Sequence, residues 1–245
     1  MEGFLRKTIL SQAPNEVRTE AVRILGRTDS GCKLLLDLEQ ASELPPELRN
    51  MASTVTNATK NSQLKLRAAK LLPVVASKNK RPLPPIREIL GRSGDPARGQ
   101  KIFAAAAGPK CKSCHSLDDS KKSLGPNLAS IGNKLGREAL LDAILNPSAG
   151  IAPEYYVWVL KTKTEGEVIG ILSEDTADRI TVLTDATTVM RFKPSEVTTR
   201  RRSRLSMMPE DLATTMTEQQ LVDLISFLVT LKKEKPGEAV SALHP

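Results

Sequence analysis

Mainly α, with one small antiparallel β region set into it, is the fold class this sequence predicts. Three observations carry it. Apolar residues recur at helical spacing over most of the first 80 or so residues and again in the second half. Between 155 and 203 the pattern changes to short β-branched runs separated by turn residues. Finally, the 245 residues hold only 3 cysteines and 2 histidines, and three of these stand together in KCKSCH at 110–115.

The length suggests one large or two small domains. With one Trp, two Tyr and four Phe, the cores must be mostly aliphatic. A net charge of +8, spread along the chain, serves solubility or an acidic partner. No nucleic-acid recognition motif accompanies the charge, so nucleic acid is not an expected partner. No apolar run approaches the roughly 20 residues of a membrane span. The start, MEGFLRKTIL, has neither the apolar stretch nor the cleavage site of a signal peptide. Three cysteines do not make a disulfide framework.

The first helix is expected in NEVRTEAVRILGR after Pro14, with Val17, Ala21, Ile24 and Leu25 on one face and Gly26 as its stop. Further helices follow around GCKLLLDLEQ, LPPELRNMASTV and NSQLKLRAAKLL. Residues 17–25 and 64–72 align at a shift of 47, a period that fits HEAT-like helix pairs. Prolines in 73–94 favour an extended linker, and we place a boundary after residue 84. Asp95 and Pro96 are suited to cap and open the next helix, in which Gly99 lies one turn from Phe103. A second helix spans 136–147 with Leu140, Leu141, Ile144 and Leu145 as its face. YYVWVLKTKT, EVIGILS, RITVLT and TVMRFK predict a four-strand meander, curled like a barrel. Helix returns at TEQQLVDLISFLVTLKK, where Thr217 and Gln220 form a capping box and Leu224 and Phe227 are placed to fill a crossing at Gly99. The expected divisions are 1–84 for the helical segment, 85–154 and 204–234 for one domain, 155–203 for the β insertion, and 235–245 for a disordered tail.

C-x-x-C-H is the attachment signature of c-type haem. Two thiols one helical turn apart, Cys111 and Cys114, can each add to a porphyrin vinyl group, and His115 then lies under the iron. Three other readings stand beside this one. A thioredoxin-type redox pair would follow a strand, whereas an alanine-rich helix precedes this pair. Zinc would need four ligands, and beyond the motif only Cys32 and His244 remain. A chance occurrence in a loop is the third.

A haem-binding His115 needs its second ring nitrogen held, and the carbonyl of Pro126 in SLGPNLASIG is the candidate acceptor. A sixth ligand is also needed, and a methionine sulfur there favours reduced iron. Of six methionines, Met207 and Met208 share the loop SMMPEDL, and Pro209 keeps Met208 out of a helix. Met208 is the residue we select, with His244 and an open iron position as alternatives.

These pieces together resemble a class I cytochrome c over 95–154 and 204–232. RGQKIF, CKSCH, GPNLASIGNKLGREALLDAILNPSAGIAPEY and SMMPEDL more narrowly resemble the haem-binding domain of planctomycete- and verrucomicrobia-type proteins. In that family the domain closes large exported chains, behind HEAT-like repeats and a propeller of sugar-dehydrogenase type. A β insertion before the methionine loop and an arginine near it are family features. The resemblance implies one haem c, with thioethers at Cys111 and Cys114, His115 and Met208 on the iron, and Pro126 holding the histidine. It implies a periplasmic or otherwise exported location and redox protein partners, a dehydrogenase as donor and another carrier as acceptor. With neither export signal nor propeller, the chain reads as a fragment of a longer one.

Electron transfer is therefore the first functional expectation. An open-iron enzyme or small-ligand sensor of peroxidase type is the second, and an interaction scaffold the third. Within RRRSR (200–204), Arg204 is a candidate partner for a haem propionate, and the run is a candidate for steering an acidic partner.

Overall fold

The computed structural model of the chain describes residues 1–120 and 123–233, so His244 and the tail 235–245 lie outside the described residues. Five helices form the N-terminal segment: α1 (Glu2–Leu10), α2 (Asn15–Leu25), α3 (Asp29–Gln40), α4 (Arg49–Asn57) and α5 (Ser62–Leu71). Their starts follow from local chemistry. The Thr28 hydroxyl accepts from the Gly31 amide, and the Asn61 side chain accepts from the amides of Gln63 and Leu64. Their inner faces close on an aliphatic core in which Ile9, Leu25, Leu35, Leu36, Leu48 and Met51 are fully buried. A buried ion pair, Arg18–Glu47 at 2.5 Å, ties α2 to the turn before α4, and the Arg18 Nε also donates to the Ile9 carbonyl. The helix α1 has no counterpart among the expected ones. Its apolar contacts with the core rest on Leu5 and Ile9, a single i, i+4 pair too short to stand out as a periodic pattern. The two stretches related by the 47-residue shift lie on α2 and α5, with α3 and α4 between them.

The proline-rich stretch that follows is not extended throughout. Val74, Val75 and Leu83 pack on a second core, and α6 (Ile86–Leu90) forms directly after Pro85. Proline is tolerated at a helix start, and Ile89 gives the short helix a buried anchor.

The second core is built around two crossing helices. The first is α7 (Pro96–Ala104), capped as expected by Asp95, whose carboxylate accepts from the amides of Ala97 and Arg98. One-turn helices α8 (Cys111–Cys114) and α9 (Ile131–Lys134) follow, then α10 (Arg137–Leu145), which buries the four residues expected of it. After the β region comes α11 (Glu218–Leu228), which opens on the Thr217–Gln220 capping box. At the crossing of α7 and α11, a Cβ on Gly99 would come within 2.1 Å of the Asp223 carbonyl oxygen. Only glycine permits that approach. Phe103 and Phe227 fill the space beside it, ring centroids 5.8 Å apart. The Asp223 carboxylate, 2% exposed, accepts from the Asp95 amide, from Arg98 and from Gln219.

The β region is a single antiparallel sheet of β1 (Val157–Thr162), β2 (Glu167–Asp175), β3 (Ile180–Leu183), β4 (Val189–Phe192) and β5 (Val197–Arg202), in the order β4-β3-β2-β1-β5. Two expectations need correction. There is a fifth strand, and the sheet is open, with β4 and β5 as its edges. VTTRRR has one apolar residue and carries no alternation. It is a strand because β1 offers a free edge, pairing Leu160 with Arg200 and Val159 with Arg201. Leu160, Val168, Ile180, Val182 and Phe192 form the sheet's own small core.

Candidate functional site

The motif CKSCH makes its own turn of helix. Lys110 takes a left-handed conformation with φ 50°, after which the Ser113 amide donates to the Lys110 carbonyl and the His115 amide to the Cys111 carbonyl. Three residues apart on that turn, Cys111 and Cys114 share one side of it, and no disulfide joins them. Burial pushes the Cys111 thiol up to about 11. Burial also raises Cys114, and the Asp185 carboxylate in the turn between β3 and β4 adds to the effect. A redox C-x-x-C works through a lowered thiol pKa, and both shifts run in the opposite direction. Nor does any group of three or more His, Cys, Asp or Glu side chains among the described residues converge to hold a metal ion.

The imidazole of His115 is fixed from behind. Its Nδ1 lies 2.8 Å from the Pro126 carbonyl. A carbonyl only accepts, so Nδ1 carries the hydrogen and Nε2 keeps its lone pair. Burial holds the ring's pKa below the usual histidine range, and the bond to Pro126 offsets this in part. The ring is therefore neutral at neutral pH, the state a metal ligand needs.

Two main-chain bonds lay the Gly-Pro-Asn loop along the motif on either side of the ring. The Gly125 amide donates to the Cys114 carbonyl at 2.7 Å, and the Leu128 amide to the Ser116 carbonyl at 2.8 Å. A Cβ on Gly125 would stand 2.6 Å from the imidazole Cε1 and 2.9 Å from Nδ1. The ring thus occupies a notch that only glycine leaves open. Sequence reasoning reached Pro126 and passed over Gly125, although the same tripeptide carries both.

Met207 and Met208 share a loop ahead of α11, and both are half-buried. Met208 packs against the second core, as Cys111 does, and its amide donates to the Ser206 hydroxyl at 3.0 Å. Of the other methionines, Met51 and Met216 are buried in the two helical cores, Met190 packs on the sheet, and Met1 is exposed. Arg204, expected as a candidate propionate partner, has protein partners of its own. Its guanidinium donates to the Ala13 carbonyl at 2.8 Å and to the Gln12 side chain at 2.6 Å, both in the α1–α2 connection. Arg200 is paired with Asp175, and Arg202 lies over the Tyr156 ring at 4.2 Å.

These residues fit a covalently bound haem: two separate thiols on one turn, a neutral imidazole with one nitrogen tied, and a notch that seats the ring. The fold and the motif thus define a haem-binding domain. Residues 96–181 match the Cytochrome c family, so this stretch carries a cytochrome c domain. Its cofactor is haem c, an iron porphyrin joined covalently to the chain, and Cys111 and Cys114 stand in the attachment motif. The matched stretch includes His115 and Pro126 and ends within β3, before Met208. No curated protein matches the chain. Among the described residues, no helix is long and apolar enough to cross a membrane.

Proposed function

We propose that the chain is an electron-transfer module in which haem c is attached at Cys111 and Cys114 and the iron is bound by His115 and Met208. Haem supplies the one-electron couple, and the protein's part is ligand choice, burial and orientation. The observation that carries this reading is the 2.8 Å contact between His115 Nδ1 and the Pro126 carbonyl, because it leaves Nε2 as the ligating atom. Met208 is favoured over Met207 by its packing on the core that Cys111 also touches. Pro126 is assigned as the residue that orients the histidine.

The wider reading rests on the resemblance of the flanking segments. It takes the N-terminal helices as HEAT-like repeats and the cytochrome domain as the planctomycete and verrucomicrobia type. It places the chain in the periplasm or another exported compartment, relaying electrons from a dehydrogenase to a further carrier. The spacing of α2 and α5 and the position of the β sheet ahead of the methionine loop support it.

The test is to produce the chain with an export signal in a host that attaches haem c, and to record visible spectra. Haem surviving denaturing extraction, and a low-spin spectrum whose weak ferric methionine–iron band is lost in Met208→Ala and kept in Met207→Ala, is the expected result. A high-spin ferric spectrum that shifts with added small ligands would instead identify an open-iron enzyme or sensor. Absence of covalent haem would overturn the assignment.

A further inference from the structure

The stretch 203–211, which carries Met208, contains no helix or strand, so its backbone polar groups must find partners elsewhere. Two of those partners come from the N-terminal helical segment. Asn15, the first residue of α2, donates through Nδ2 to the Arg204 carbonyl at 2.7 Å and to the Ser148 carbonyl at 2.9 Å. Asn50, near the start of α4, donates through Nδ2 to the Glu210 carbonyl at 2.9 Å and to the Leu145 carbonyl at 3.1 Å, and also meets the Glu210 carboxylate.

The two asparagines thus do the same thing at the two ends of one loop. Each joins the loop to the chain leaving α10. Between them, the Ser148 hydroxyl, in a residue 1% exposed, accepts from the Ser206 amide at 3.0 Å and donates to the Glu210 carboxylate. Ser206 in turn holds the amide of Met208. Arg204 reaching back to Gln12 and Ala13 reinforces the first end.

We propose that the helical segment is the clamp that retains the methionine loop at the haem, with Asn15 and Asn50 as positioning residues. The proposal rests on the reading of Met208 as distal ligand. A thioether binds ferric iron less well than ferrous, so the ferric state is where a loosened loop lets the sulfur leave. Holding both ends of the loop keeps the sulfur at high effective concentration, and releasing either end lowers it.

The experiment uses the full haem-loaded chain, with imidazole as the probe of ferric iron. Asn15→Ala and Asn50→Ala should each speed imidazole binding about fivefold, the factor carried by one ordinary hydrogen bond, and the double variant about tenfold or more. The methionine–iron band should weaken and the reduction potential fall in the same order. Asn57→Ala is the control, because among the described residues the Asn57 side chain bonds to the Ser53 and Leu72 carbonyls inside the helical segment. It should lower the melting temperature while leaving the imidazole rate within about twofold of wild type, since no bond to the loop is lost. A folded double variant with wild-type imidazole kinetics overturns the clamp, as does an Asn57→Ala rate as high as that of the clamp variants. If the double variant does not fold by far-UV circular dichroism, the single variants decide by the same criterion. Met208→Ala separates the two failures. If it keeps the wild-type band, the ligand assignment falls and the clamp falls with it. If it loses the band while the asparagine variants change nothing, the clamp alone falls.

Discussion

His115 and the carbonyl that orients it are 11 residues apart, whereas Asn15 and the loop end it holds are 189 apart. The histidine side of the site is assembled within residues 110–128 by a turn of helix, a glycine notch and a few local hydrogen bonds. The proposed methionine side is an irregular loop held by side chains of α2 and α4 and by the chain leaving α10. Unfolding of the helical segment, or loss of its bonds to the loop, should therefore reach the methionine and leave the histidine largely untouched. Local packing changes at Gly125 should do the reverse.

The largest effect is expected at the buried ion pair. Glu47→Ala leaves the Arg18 guanidinium, 3% exposed, without its partner, and should destabilise the helical segment by about 3–5 kcal/mol. Calorimetry would measure the loss, and the spectrum would show the methionine–iron band weakened while haem stays attached at Cys111 and Cys114. If the band survived full unfolding of α1–α5, the contrast between the two sides would be lost.

Gly125→Ala comes next. Its Cβ would collide with the imidazole, and the resulting repacking should cost about 1–3 kcal/mol. The ring should tilt and its ligation weaken, seen as a shift in reduction potential, with little change in the stability of the helical segment.

A third prediction concerns Asp223, the brace under the α7–α11 crossing. Hydrogen bonding from Arg98, with help from the Asp95 amide and Gln219, holds its pKa down to about 2. The folded-state value lies below the unfolded one, so its contribution is complete above about pH 4 and is lost as pH falls toward 2. Asp223→Asn should cost about 1.5–3 kcal/mol at pH 7, and the gap to wild type should close in acid. Melting temperatures recorded from pH 7 to 2 would show the two curves converging. A gap independent of pH would remove the charge argument.

The smallest effect should come from the exposed edge strand. Arg200 pairs with Asp175 across the sheet with both side chains near half exposed, so Arg200→Ala should change stability by less than about 1 kcal/mol. The basic strand would show itself only in encounter, as a slower, salt-dependent reaction with an acidic redox partner. Rates equal at low and high salt would leave the strand without that role.

The difference in how the two sides are built also explains what could be read in advance. The turn that carries Cys111, Cys114 and His115 and the contact of His115 with Pro126 were legible because neighbours in the chain form them. Gly125 was legible in principle, as the residue before a proline in a turn, and its closeness to the imidazole was not. Asn15 and Asn50 carry no local signal at all, since an asparagine at a helix start reads as an ordinary cap. The same holds for β5, whose VTTRRR becomes a strand only beside β1, and for α6, which the prolines hid.

By itself, then, the sequence determined the helix periods, the caps at Asp95 and Thr217, the glycine–phenylalanine crossing and the contact between His115 and Pro126. Each depends on interactions within a few turns of chain, where spacing is enough. Only the tertiary structure decided where Arg204 points, that the sheet stays open, and that two asparagines from the first 50 residues meet a loop near residue 207. Those outcomes depend on which orphan carbonyls and free edges the packed cores bring together, and no local pattern encodes that meeting.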